Sequence, residues 1–307
     1  MPHKEVHYFD RKIHDRSNAL TRLFGRREYD IHWRRQVKRV LTRTAKNSSS
    51  KDLAWNYRYY MKSYDDDWYA SLFEPGKGEI AGEITPAYSM LDRDTIAHVF
   101  EVMPEAKIIF LMRNPIERVW SQTVMSFDKA ERGSADSVSE EELFRTLWKL
   151  EREDTRKLTD YLGTLENWGA FYPEDRIFVG FLEDVRFCPK ELLRRLYGFL
   201  GVEPSFEPRR PGKKVHTRAA HEMPARVAVH LACSYRDEIA RLHERFGGYA
   251  SWWLNCADRL IEDPPKNEAV PYPLWKSAAW QEWVAASEST SNRRPVQSGP
   301  LSSLHIS

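Results

Sequence analysis

The sequence predicts an α/β protein with a mainly parallel sheet flanked by helices. Three successions of strand pattern and helix pattern carry that expectation. The first is GEIAGEI (78–84), a strand candidate, followed by a helix over Arg93 to Val102. The second is the apolar run that ends at Met112, which stops at Arg113. Asn114 then suits a helix N-cap, Pro115 a first helical position and Glu117 a first-turn acid, so a helix runs on through Ile116 to Lys129. The third is a strand over Arg176 to Phe181, followed by a helix over Lys190 to Leu200 that Gly201 ends. Between the second and third, Ser139 and Glu142 form a capping box for a helix beginning at Glu140. Residues 204–216 read as a loop and Pro224 to Phe246 as a long helix. The expected organisation is one domain over 1–250, a Trp-rich appendage over 251–285 and a disordered tail over 286–307.

Composition narrows the class. In 307 residues at 41% hydrophobic, no apolar run reaches the roughly 18 residues that span a membrane. Three cysteines with no C-x-x-C spacing suit a reducing, cytoplasmic setting, and the ten histidines show no paired metal spacing, so no metal is expected. The net charge of +2 is unevenly placed. Residues 11–46 hold twelve Lys or Arg against three Asp or Glu. A helix from Asp30 to Ala45 would turn Ile31, Val37, Val40 and Leu41 inward and Arg34, Arg35, Lys38 and Arg39 outward. That face is either a solvated surface or an attractor of anionic ligands. No nucleic-acid motif accompanies it.

The junction at Arg113 is a candidate anion site. It offers a guanidinium at a strand end beside a helix N-terminus, with Arg118 and Ser121 on the following turns. Strand–Arg–helix junctions also make plain surface ion pairs, so spacing alone leaves both readings open.

The order R-x-P-x-x-R-x-x-S resembles the 3′-phosphate-binding segment of sulfotransferases that use 3′-phosphoadenosine 5′-phosphosulfate (PAPS). KEVHYFD (4–10) is similar to the K-E-x-H-[FY]-F-D segment of the glycan-modifying and bacterial branch of that family. GEITPAY (82–88) is similar to its G-E-x-[ST]-P-x-Y segment, with Ile84 where the branch often has lysine. FVGFLEDVRFCPKELLRRLYGFLGV (178–202) resembles its later strand and helix. The resemblance implies a P-loop-NTPase-like sulfotransferase fold and assigns roles. Arg113 and Ser121 would hold the 3′-phosphate, with Arg118 beside them. Glu5 would be the general base and His7 its companion in proton transfer. Lys4, Asp10, Thr85 and Pro86 would line the acceptor cleft. Lys214, in the 204–216 loop, would lie over the donor. The acceptor would be a hydroxyl or amine of a carbohydrate, glycolipid or small metabolite.

The family's K-x-G-[ST]-[ST] or K-G-G-T-R loop, which cradles the 5′-phosphosulfate, has no match here. Gly76–Lys77–Gly78 reads as a turn. The expectation is that the native start lies upstream, supplying a strand, that loop and the core that Tyr8 and Phe9 need. The alternatives are a non-catalytic chain that binds adenosine 3′,5′-bisphosphate, and a basic module for an anionic polymer.

Overall fold

The computed structural model describes residues 5–10, 19–47, 50–73, 79–129, 138–152, 155–206, 222–266, 269–288 and 297–304. The chain divides into two compact units, Met1–Glu105 and Ala106–Ser307.

The first unit is helical: α1 (Ala19–Phe24), α2 (Glu28–Asn47), α3 (Ser50–Met61), α4 (Asp66–Ser71) and α5 (Arg93–Val102). Asp65 caps α4 by accepting the Trp68 N–H at 2.8 Å, and Asp92 caps α5 by accepting that of Thr95 at 2.9 Å. The core is aromatic, with Trp55, Tyr60, Tyr64, Trp68 and Tyr69 all buried. Tyr8 stacks on Tyr69 at 4.9 Å and Phe9 meets Tyr69 edge-on at 4.8 Å. Tyr8 and Phe9 thus find packing partners downstream, both at Tyr69 of α4 and Phe9 also at His98 of α5.

Two further expectations in this unit are corrected. Residues 79–85 form no strand and pair with none among the described residues, and Ile80 and Ile84 are exposed. Alternation alone does not make a strand when no ladder partner faces it. Arg34, expected on the outer basic face of α2, turns back to α1, where Nη1 donates to the carbonyl oxygens of Arg22 at 2.8 Å and Gly25 at 2.7 Å. It covers the last carbonyls of α1, which a helix leaves unpaired. Arg35, Lys38 and Arg39 do lie exposed.

The second unit holds the sheet. β1 (Ile108–Met112) leads into α6 (Pro115–Lys129); α7 (Glu140–Arg152), α8 (Thr155–Thr159) and α9 (Tyr161–Gly169) return the chain to β2 (Ile177–Phe181). β1 and β2 are parallel, with Ile108 opposite Ile177 and Met112 opposite Phe181. This strand–helix–strand crossover is the expected α/β arrangement. Every residue of β2 is buried, as a covered parallel strand requires. Gly180 lets Leu111 cross close above it, since a Cβ there would lie 2.3 Å from a Leu111 methyl. α10 (Leu182–Phe187) and α11 (Pro189–Leu200) follow, and Gly201 ends α11 at φ 75°, in the left-handed region. Phe178 packs against Leu192 and Phe199 of α11.

The C-terminal third belongs to this unit. α12 (Ala225–Phe246) and α13 (Gly248–Glu262) pack along each other, and Trp252 and Trp253 of α13 are buried. Trp280 of α14 (Ala278–Glu288) lies 5.1 Å from both Trp252 and Phe187. Residues given to an appendage by composition thus supply core aromatics. Residues 297–304, given to a disordered tail, carry β3 (Gly299–Pro300), which pairs antiparallel with β2. Asp184 draws that segment in. Its buried carboxylate accepts from Gln297 N (2.9 Å), Ser298 N (2.8 Å), Ser298 Oγ (2.7 Å) and the Tyr249 hydroxyl (3.1 Å).

Candidate functional site

In the first unit, Glu5, His7 and Asp10 come into direct contact. An extended run would hold Glu5 and His7 about 6–7 Å apart on one side. Instead the backbone turns at His7, whose φ is +58°. Non-glycine residues rarely take that region, and such strain, about 1–3 kcal/mol, concentrates at functional positions. The turn sets Nδ1 of His7 at 2.7 Å from Asp10 Oδ2 and Nε2 at 3.1 Å from Glu5 Oε2. Both contacts are hydrogen bonds at once when one proton lies on Nδ1 and a second lies between Nε2 and Glu5 Oε2, on either partner. The Glu5 side chain is 38% exposed and Asp10 14%, so the chain of contacts runs from a half-buried anchor to a more open end.

Glu83 holds this segment in place. Its Oε2 accepts the Val6 N–H at 3.0 Å and the Thr85 hydroxyl at 2.8 Å, and its Oε1 accepts the Tyr69 hydroxyl at 2.5 Å. The Tyr88 hydroxyl accepts the Tyr8 N–H at 3.0 Å. Burial first, then the Glu83 carboxylate, pushes the Tyr69 phenol's pKa far upward, so it serves as a fixed donor. The segments 5–10 and 82–88 are therefore stitched together by one carboxylate. The sequence signal for it was the glutamate of the GEITPAY segment (82–88). Thr85 is buried with its hydroxyl committed to Glu83, while Pro86 is exposed at the start of a 3-10 turn. Lys4 and Lys214 lie outside the described residues.

In the second unit, Asn114 and Pro115 start α6 as expected, with Asn114 Oδ1 accepting the Ile116 N–H at 3.0 Å. The Arg113 carbonyl accepts the Tyr161 hydroxyl at 2.8 Å. The Arg113 guanidinium donates from Nε and Nη2 to Glu117 Oε2, each at 3.1 Å, and from Nη2 to the Tyr272 hydroxyl at 2.5 Å. Three of its five N–H groups are used; the two on Nη1 make no bond among the described residues, and the side chain is 22% exposed. Burial opposes the charge on Arg113, but Glu117 and Tyr272 outweigh it and its pKa rises. Burial likewise raises the Glu117 carboxyl's pKa, against Arg113 and the Leu274 N–H, which donates to Oε1 at 2.5 Å. With three N–H groups aimed at its two oxygens, the carboxylate is the resident form. Ser121 lies one turn beyond Glu117 on the same stripe of α6 and is half-buried. Arg118 is different. It donates to Gln122 Oε1 at 3.0 Å, and burial, opposed by the nearby Tyr161 and Tyr235 phenols, lowers its pKa. It packs inward, a helix position away from the Arg113–Ser121 stripe.

Below this site lies Glu183, at the start of α10 and 1% exposed. Oε1 accepts the Trp253 indole N–H at 2.6 Å and Oε2 has no partner among the described residues. Burial, with a smaller push from Glu117, raises its pKa to about 8, although Trp253 pulls it down. The folded state therefore keeps a proton that the unfolded chain releases near 4.5. This group's contribution to stability is full below about 4.5, falls as pH rises towards about 8, and is gone above that, at a slope of at most about 1.4 kcal/mol per pH unit. Glu183→Gln should remove that slope. Melting midpoints should show the variant gaining on the parent between pH 5 and pH 8, roughly the span of that window. An equal difference at both pH values would contradict the buried neutral acid.

Among the described residues, no group of three His, Cys, Asp or Glu side chains converges to hold a metal ion. No helix there is long and apolar enough to cross a membrane.

A model of the sulfotransferase family matches residues 13–208, more than half of the chain. No curated protein matches it. A solved sulfotransferase from Alicyclobacillus acidocaldarius is similar at 22% identity and a TM-score of 0.47, over 79% of this chain and 82% of that one. On the extent of the family match, the chain belongs to the sulfotransferase family.

Proposed function

We infer that the protein transfers a sulfuryl group from PAPS to a hydroxyl or amine of a carbohydrate, glycolipid or small metabolite. The observation that carries the reading is the contact chain Glu5–His7–Asp10. A chain that only held a nucleotide would need no strained turn to seat an imidazole between two carboxylates. Sulfuryl transfer needs a base for the acceptor's proton, a grip on the donor and an aligned approach. Glu5, the open end, takes the acceptor's proton, and His7 shares it through Nε2. Asp10 fixes the ring through Nδ1. PAPS, when bound, supplies the sulfuryl group and leaves as adenosine 3′,5′-bisphosphate. The two free N–H groups on Arg113 Nη1 fit the 3′-phosphate, with the Ser121 hydroxyl on the same helix stripe. The free cysteines Cys188, Cys233 and Cys256 fit a cytoplasmic setting.

Arg113→Ala should weaken adenosine 3′,5′-bisphosphate binding about tenfold to a hundredfold, the worth of a charge-assisted contact. Calorimetric titration measures it, and an unchanged affinity would remove Arg113 from the donor site. The anionic-polymer reading is tested by charge reversal at Arg35 and Arg39. Arg34 is unsuitable, because it caps α1.

A further inference from the structure

Residues 269–277 lie beyond the stretch that matches the family, yet they touch Arg113 directly. The segment is fastened before and after the contact. Val270 forms an antiparallel bridge with Met223, with N–H to O distances of 2.7 and 3.0 Å. Leu274 is buried, and the Trp275 ring meets Phe187 edge-on at 5.8 Å. Between these anchors, the Tyr272 hydroxyl accepts from Arg113 Nη2, and the guanidinium carbon lies 5.3 Å from the centre of the Tyr272 ring. Two residues on, the Leu274 N–H donates to the Glu117 oxygen that Arg113 leaves open.

We propose that residues 269–277 form a strap that orients Arg113, with Tyr272 a positioning residue for a phosphate monoester held on Arg113 Nη1. The physical reason is the division of donors. An arginine beside one carboxylate can swing to a bidentate pair through both terminal nitrogens, which takes one hydrogen from each and leaves neither nitrogen with both of its hydrogens for a ligand. Here Leu274 occupies Glu117 Oε1, so Arg113 meets only Oε2, through Nε and Nη2. Tyr272 takes the second Nη2 hydrogen. Both Nη1 hydrogens are thereby kept for an anion in a fixed direction. Because Tyr272 accepts that hydrogen bond, its own proton points away from Arg113, and it has no acceptor among the described residues.

The inference rests on the reading of Arg113 as a phosphate ligand, and the test separates the two. Adenosine 3′,5′-bisphosphate and adenosine 5′-monophosphate are titrated into the full chain, Tyr272→Phe, Arg113→Ala and the double variant. Tyr272→Phe keeps the ring and removes the hydroxyl. It should weaken the bisphosphate about fivefold, leave the monophosphate unchanged, and add nothing once Arg113 is gone. If Arg113→Ala weakens the bisphosphate and Tyr272→Phe does not, the strap is wrong and the phosphate site stands. Equal loss of both nucleotides in Tyr272→Phe would mean a merely structural tyrosine and would also overturn the proposal. If Arg113→Ala binds the bisphosphate like the parent, or the parent does not bind it, the reading of Arg113 fails and the strap falls with it.

Discussion

Asp184→Ala should destabilise the protein by about 3–5 kcal/mol, the cost of leaving several buried donors of one carboxylate unpaired. The carboxylate receives four hydrogen bonds, two of them from consecutive backbone N–H groups at Gln297 and Ser298. Ser298 is fully buried, so its donors would find no water in place of the lost oxygens. Ser298 Oγ also donates no more to Asp184 while still accepting the Phe181 N–H at the end of β2, at 3.0 Å. The damage therefore reaches the sheet. For a unit of this size the melting midpoint should fall by about 6–20 °C. Asp184→Asn, which keeps one acceptor oxygen, should fall less. A urea midpoint for Asp184→Ala equal to the parent's would show that this latch holds nothing.

His7→Ala should lower turnover about 10²–10⁴-fold, the range for losing a positioned proton-transfer group. Affinity for adenosine 3′,5′-bisphosphate, which reads Arg113, should not change. Asp10→Asn should lie between the variant and the parent, because it leaves the imidazole present but no longer charge-anchored at Nδ1. Glu5→Gln should resemble His7→Ala if Glu5 is the group that meets the acceptor. The measurement is transfer of labelled sulfuryl group to a panel of sugars, glycolipids and small alcohols. His7→Gly is a useful control. It relieves the positive φ and so separates backbone strain from lost chemistry. Parent-like turnover in His7→Ala would end the proposed role.

What the sequence disclosed was local. Arg113, Asn114 and Pro115 announce a strand end and a helix start through their own conformational preferences, and the structure begins α6 at Pro115. Gly201 likewise marks the end of α11 within one residue. Glu5, His7 and Asp10 were named together because one short segment, KEVHYFD (4–10), carries all three and its resemblance assigns them roles. What stayed hidden depends on single contacts between distant residues. Glu83 reaches Val6 across 77 positions, Asp184 reaches Ser298 across 114, and Arg113 reaches Tyr272 across 159. No periodicity encodes such a meeting. The 79–85 segment failed in the opposite sense, since its alternation was visible and its missing ladder partner was not. The Trp-rich region misled through composition. Tryptophans at 252, 253 and 280 describe a core as well as they describe an appendage, and only packing decides between them.

The latch at Asp184 has a consequence for how the second unit is made. On a ribosome, Gln297 and Ser298 emerge more than a hundred residues after the carboxylate they must meet. Until then β2 can align with β1, but its other edge stays open and Asp184 must remain hydrated. The sheet cannot close while those residues are still inside the exit tunnel. Completion of the sheet therefore waits for the segment that carries Gln297 and Ser298, and the waiting β2 edge is the surface most in need of a chaperone's cover.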